Sequence, residues 1–255
     1  DPSDTPRLAE AMRGCDAVIH LIGIISECGA DTFERVHEGR TGEILAAGEA
    51  AGVPRWIHMS ALGTRAGAPS RYHTSKWAAE EQVRSSDLQW TIFRPSLIYG
   101  PGDGFTRMFD RMARWSPCLP VMGPGTNLLQ PVSVGVVAQA FVRALERPES
   151  VGRTFDLCGP DRLAFREVLR QILRAAGRRR MLVSIPLPVA RLQARLLEWV
   201  FPAVLGQAPP LNTQQLLMLQ EDNVGDGTEA DHAFGLHHEP FEQGLRRYLG
   251  PSART

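Results

Sequence analysis

Arg71-Tyr72-His73-Thr74-Ser75-Lys76 decides the fold when read with the run Trp56-Ile57-His58-Met59-Ser60 before it and Trp90-Thr91-Ile92-Phe93 after it. Residues Trp77 through Val83 are rich in helix formers, so Tyr72 and Lys76, four apart, are predicted to share a helix face one turn apart. An ammonium beside a phenol favours the phenolate, and the tyrosine pKa is expected to fall toward working pH. A tyrosine tuned in this way exchanges a proton with a substrate hydroxyl or carbonyl oxygen, and the lysine can donate hydrogen bonds to a ribose. By itself the Tyr-x-x-x-Lys spacing discriminates poorly, because helices carry many such pairs. Its meaning comes from order: strand, hydroxyl-bearing loop, helix, strand, then Arg94-Pro95-Ser96-Leu97-Ile98-Tyr99-Gly100.

Outward toward the N-terminus the same alternation continues. Asp1 to Asp4 read as a loop, followed by a short amphipathic helix carrying Leu8 and Met12 and stopped at Gly14. Ala17-Val18-Ile19-His20-Leu21-Ile22-Gly23 is a short apolar run closed by glycine, which predicts a buried parallel strand. A helix is predicted from about Thr32 to Ala51, ended by Gly52-Val53-Pro54, and a strand from Arg55 to Met59. Alternating strands and helices argue for a doubly wound parallel sheet with helices on both faces.

Charge excludes several classes. Lysine and arginine total 28 and aspartate and glutamate total 28, so no bulk field selects nucleic acid or an anionic membrane. Four widely spaced cysteines, Cys15, Cys28, Cys118 and Cys158, form no Cys-x-x-Cys and fit reduced structural thiols. The seven histidines are scattered, with only His237 and His238 adjacent, and no metal is expected. No signal peptide and no membrane-length apolar run is evident, and a cytoplasmic chain is expected.

The order of motifs resembles the extended and atypical short-chain dehydrogenase/reductase superfamily. Within it, His20-Leu21-Ile22-Gly23, Met59-Ser60-Ala61-Leu62-Gly63, Tyr72 to Lys76 and Arg94 to Asp103 look most like one branch. That branch contains the dehydrogenase-like accessory subunit of respiratory complex I and its bacterial NAD(P)-binding relatives. The resemblance continues through Gln130-Pro131-Val132, Phe155 to Pro160 and Leu219 to Asn223. It implies a Rossmann-type domain over residues 1–155 and an α-rich cap or substrate region over 156–255, interleaved with 100–130. It also implies that the chain is truncated. The glycine-rich turn that holds a pyrophosphate at a helix N-terminus is absent from the sequence. On the order of 50 residues carrying it are expected upstream of Asp1.

Site residues follow from the same resemblance. Tyr72 would be the acid/base, and Lys76 its ribose-binding partner. The third hydroxyl falls on Ala61, so Ser60 or Thr64 would have to replace it. Asp1 would accept a hydrogen bond from the adenine amino group, although Asp1, Asp4 or Thr5 could equally cap the next helix. Leu21, Ile22 and Gly23 would lie against the adenosine-side ribose, and Pro95, Ser96, Leu97 and Ile98 would face the nicotinamide with backbone groups binding its carboxamide. The implied cofactor is NAD or NADP. The implied function is an oxidoreductase or epimerase/dehydratase acting on a small carbonyl or alcohol substrate, with no nucleic acid partner. A non-catalytic dinucleotide-binding protein of a membrane-associated respiratory assembly, peripheral at the inner membrane, is the alternative.

Three further stretches carry expectations. Phe165, Val168, Leu169, Ile172 and Leu173 predict an amphipathic helix ended by Gly177, and Arg178-Arg179-Arg180 a solvated helix end. Short strands are expected near Phe155 and Val183. Leu187 to Leu205 is unusually apolar and broken by Pro188 and Pro202; a cap over the substrate pocket, a partner contact and a membrane contact all suit it.

Overall fold

The computed structural model describes residues 4–201, 209 and 211–250. The first half runs α1 (Thr5–Met12), β1 (Ala17–His20), α2 (Arg40–Ala50), β2 (Arg55–Met59), α3 (Arg71–Arg84), β3 (Gln89–Pro95) and β4 (Ile98–Tyr99). Next come α4 (Gly104–Trp115), β5 (Cys118–Met122), β6 (Leu128–Leu129), β7 (Val132–Ser133), α5 (Val134–Leu145), β8 (Arg153–Leu157) and β9 (Leu163–Ala164). The chain continues as α6 (Phe165–Ala175), β10 (Met181–Ile185), α7 (Leu187–Val200), α8 (Thr213–Met218), α9 (Thr228–Phe234) and α10 (Phe241–Leu249).

The central sheet is parallel throughout, in the order β1-β2-β3-β8. Alternation along each strand sends side chains to two separate cores. Trp56 and Ile92 pack with Ile44 and Leu45 of α2 and Val83 of α3 on one face. Ile57, Phe93 and Phe155 pack with Phe141 of α5 and Phe234 of α9 on the other. This is the doubly wound α/β arrangement expected from the alternation. A third core joins α4, α6 and α10 through Phe109, Phe165, Leu169 and Phe241. The strand expected near Phe155 completes the main sheet as β8, and the one near Val183 pairs with β5 as β10.

Local differences from the sequence reading have local causes. Asp1 lies outside the described residues, and Asp4 holds the cap of α1 by accepting from the Arg7 N–H at 3.2 Å. The strand expected to reach Gly23 ends at His20, where pairing with His58 is the last rung of the ladder. The helix expected from Thr32 to Ala51 begins instead as a π-helical turn, Glu34–Gly39, and only then tightens into α2. The wider turn brings His37 inward, and it is 1% exposed. Arg178 to Arg180 do not simply project into water: Arg178 pairs with Asp110 of α4 at 3.0 Å and Arg180 donates to the Ala113 carbonyl.

The turn after β8 meets the residue before β7 where the backbone of Gly159 lies against Pro131. Its N–H donates to the Gln130 carbonyl, and a Cβ added there would overlap the Pro131 carbonyl oxygen. Gly159→Ala should therefore lower the unfolding free energy by about 1–3 kcal/mol in urea titrations. Gly104→Ala, in open space at the start of α4, should leave it unchanged or raise it slightly.

Candidate active site

Helix α3 starts where it does because Ser70 caps it, accepting from the His73 N–H at 3.2 Å. That start places Tyr72 in the first turn and Lys76 one turn later. The Tyr72 ring is boxed by Phe33, His37 and His73 at centroid distances of 5.9, 5.4 and 5.2 Å, each meeting it edge to face or nearly so. Its hydroxyl has no hydrogen-bond partner among the described residues. The expected fall in its pKa is not what the structure gives: burial pushes it up to about 12, with no offset from Lys76. The reason lies in where the lysine goes. Lys76, 5% exposed, donates from Nζ to the Met59 carbonyl at 3.1 Å, at the end of β2. Burial lowers its own pKa to about 8, against an opposing push from Glu80.

Behind the lysine stand three neutral histidines. His20 stacks on His58 with centroids 5.1 Å apart and on Trp56 at 5.4 Å. The strand register makes the two histidines direct neighbours. All four of their ring nitrogens are buried without a hydrogen-bond partner among the described residues. His37 contacts Ser75 Oγ through Nδ1 at 2.8 Å and the Ile24 backbone through Nε2 at 3.1 Å. Burial first, and the Lys76 charge second, lower His20 and His37 to about 3; burial and then the neighbouring His20 hold His58 well below its usual range. The lysine is the one cation in this wall, and Glu80 holds its helix to β3 through Arg94.

The other predicted residues divide into three groups. Gly23 comes to the lysine: a Cβ on it would sit 3.0 Å from Lys76 Nζ and 3.4 Å from His37 Nε2. Leu21 is 54% exposed at the open end of β1, and Ile22 packs into the core beneath. Ser60 is brought to Thr64 and not to Tyr72; its Oγ donates to Thr64 Oγ1 at 3.3 Å, and both are buried. Pro95 to Ile98 are tied into the protein: the Ser96 N–H donates to Leu157, Ser96 Oγ to Gln130, and the Leu97 N–H to Asn223 Oδ1 at 3.1 Å. The backbone donors of Ser96 and Leu97 expected for a carboxamide are thus already engaged.

Sequence reading missed the role of three groups. Asn223 links Leu97, Leu62 and Leu128, far apart in sequence; it lies in the stretch Leu219 to Asn223 that carries the resemblance, but no pattern there gives it this role. His20 and His58 did carry a signal, since each follows a pair of apolar residues, Val18-Ile19 and Trp56-Ile57, near the end of its strand. His37 carried none.

A dinucleotide requires backbone it can approach and donors left free for its ribose. Both are present, since Gly23 leaves the space beside Lys76 open and the ammonium carries three donors, one of them given to Met59. The residues present fit the ribose of such a group, whereas the Ser96 and Leu97 backbone donors expected for its carboxamide are taken within the protein. The phosphate-holding turn is not among these 255 residues.

Comparison with known proteins agrees with this geometry. Residues 1–111 match the family described as NAD(P)H-binding, which names the cofactor as NAD or NADP. The chain is 31% identical over 230 residues to the mitochondrial NADH dehydrogenase [ubiquinone] 1 alpha subcomplex subunit 9 of Arabidopsis thaliana, covering 88% of this chain and 56% of that protein. It is 31% identical over 185 residues to the ceramide reductase of Caulobacter vibrioides, covering 72% and 58%. The chain thus spans little more than half the length of these curated relatives. In fold it is similar to the dTDP-glucose 4,6-dehydratase DesIV of Streptomyces venezuelae, a structure with NAD bound: TM-score 0.73, 20% identity, 98% of this chain and 76% of that one. With the parallel sheet and these matches together, the chain is an NAD(P)-binding protein, similar in sequence to the complex I subunit and the ceramide reductase and in fold to the NAD-bound dehydratase.

Proposed function

We propose that the complete protein is an NAD(P)-dependent oxidoreductase that reduces the carbonyl group of a small molecule, with Tyr72 as proton donor and Lys76 orienting the cofactor. The observation that carries this reading is an unclaimed Tyr72 hydroxyl and a buried Lys76 ammonium on one turn of α3, with Lys76 reaching the carboxyl end of β2. Ligands of open parallel sheets bind at such ends. A bound nicotinamide supplies hydride transfer. Tyr72 would then give its proton to the carbonyl oxygen as that oxygen gains negative charge. Burial keeps the phenol protonated at neutral pH, which suits reduction better than alcohol oxidation, where a phenolate is needed first. The Caulobacter relative is itself named a reductase.

A second reading is a non-catalytic dinucleotide-binding subunit of a respiratory-type assembly. It is favoured by Ser60 bonding to Thr64 while Ala61 fills the place of the third hydroxyl, and by the name of the Arabidopsis relative. Tyr72→Phe in the complete protein separates the two. On the first reading, NAD(P)H-dependent carbonyl reduction drops by about 10²-fold or more while cofactor affinity, measured by calorimetry, is kept. If the unaltered protein binds cofactor and turns over no carbonyl substrate, and the variant folds and assembles as before, the second reading stands.

A further inference from the structure

Helix α7 turns its large apolar side chains away from the protein. Its inner side is held by small residues, Ala190 and Ala194, packed on Leu216 of α8. Val189, Leu192, Leu196 and Trp199 are 54%, 71%, 58% and 75% exposed. Ala190 and Ala194 face inward, Leu187 and Leu197 are half-buried, and Leu192 and Leu196 point outward. Residues Pro202 to Leu205 of that stretch lie outside the described residues.

At about 100° per residue, the four exposed side chains fall within an arc of roughly 80°. Arg195 and then Arg191 border that arc on one side, both exposed, with one Nη of Arg191 donating to Gln220 Oε1 at 3.3 Å and its other donors left for a ligand. The helix has one carboxylate, Glu198, and it is turned to α8, where it accepts from the Thr213 N–H and hydroxyl at 2.7 and 2.8 Å. The outward side thus presents apolar side chains, a tryptophan near one end and only positive charge. Size distinguishes the possible occupants. At 54%, 71%, 58% and 75% exposure, the four residues present on the order of 500 Å² of accessible surface, less than the roughly 800 Å² per partner in a standard protein interface. A bilayer surface needs no such complementary area, and a narrow apolar arc edged by arginine suits an acyl–headgroup boundary. No helix among the described residues is long and apolar enough to cross a membrane.

We propose that α7 lies in the surface of an anionic lipid bilayer, with Val189, Leu192, Leu196 and Trp199 entering the acyl boundary and Arg191 and Arg195 meeting lipid phosphates. The site is one helix layer away, because α8 also binds the start of α3: Gln214 Oε1 accepts from the Arg71 N–H at 2.8 Å. The proposal does not depend on catalysis. It is tested by sedimenting the complete protein with phosphatidylcholine vesicles with and without phosphatidylglycerol. Binding is expected to the anionic vesicles, weakened by salt. It should fall by about tenfold or more in Arg191→Glu/Arg195→Glu and in Leu192→Ser/Trp199→Ser. Both variants should keep nearly the parent thermal unfolding curve, since the exposed side chains support no core and Arg191 gives up only one long, exposed hydrogen bond to Gln220. Brominated lipid should quench the parent more than Trp199→Phe. Failure of the parent to bind, or binding that both variants retain, overturns the proposal. So does a concentration-dependent dimer that Leu192→Ser/Trp199→Ser dissolves in a protein indifferent to vesicles, which would assign the face to self-association.

Discussion

Acidification below pH 6.5 should unfold this protein steeply, before its carboxylates begin to protonate. His20, His37 and His58 are neutral in the folded state, with pKa values of about 3, about 3 and well below the ordinary range. Unfolded, each returns to about 6.5. Below that pH the unfolded chain binds up to three more protons than the folded one, so stability falls as pH falls. The slope approaches about 4 kcal/mol per pH unit, three times the value for one group. A single unit would then remove much of a typical stability of about 5–15 kcal/mol. His73, also lowered by burial, adds in the same direction. Glu38 and Asp156, raised by burial, oppose only near the lower end of the range. Urea unfolding between about pH 7 and pH 5 measures the slope. His58→Leu should remove about a third of it and make the protein more acid-resistant. Stability that is flat across this range would mean that the histidine stack is not closed to water.

Glu80→Ala should cost about 3–5 kcal/mol, the range for breaking a buried charge pair from one side. Glu80 is 0% exposed and receives both Nε and Nη2 of Arg94, at 2.9 and 2.6 Å, as well as Arg84. The two guanidinium groups lie over the Trp77 ring at 4.9 and 5.8 Å, so a planar fork and a stacked surface are lost together. Removing the carboxylate strands Arg94 between α3 and β3. It also withdraws the one charge that raises the Lys76 pKa, which should then drop below about 8. Glu81→Ala, at a carboxylate 53% exposed and bound to Arg84, is the control and should cost less than about 1 kcal/mol. Equal losses in the two variants would show that the buried triad contributes no more than a surface pair.

The tyrosine shows how far spacing carries an electrostatic argument. Four residues on a helix do place Tyr72 and Lys76 on one face, and the helix begins and continues as its residues indicate. The sign of the pKa shift was not contained in that spacing. It depends on where the ammonium is drawn, here to the Met59 carbonyl, and on how much water Phe33, His37 and His73 exclude from the phenol. Neither can be read along the chain, because these groups reach the site from different elements.

Alternating apolar strands and amphipathic helices determined the parallel sheet, its two-sided cores and the helix bearing Tyr72 and Lys76, since side-chain period and capping are local properties. The Tyr-x-x-x-Lys motif in its strand–helix order carried the resemblance to the superfamily. Only tertiary structure decided the rest. The π turn that brings His37 inward, the stacking of His20 on His58, the capture of Ser60 by Thr64 and the outward face of α7 are set by how the chain packs, not by the spacing of residues along it. Their energies come from desolvation and packing. Those exist only once the segments have met.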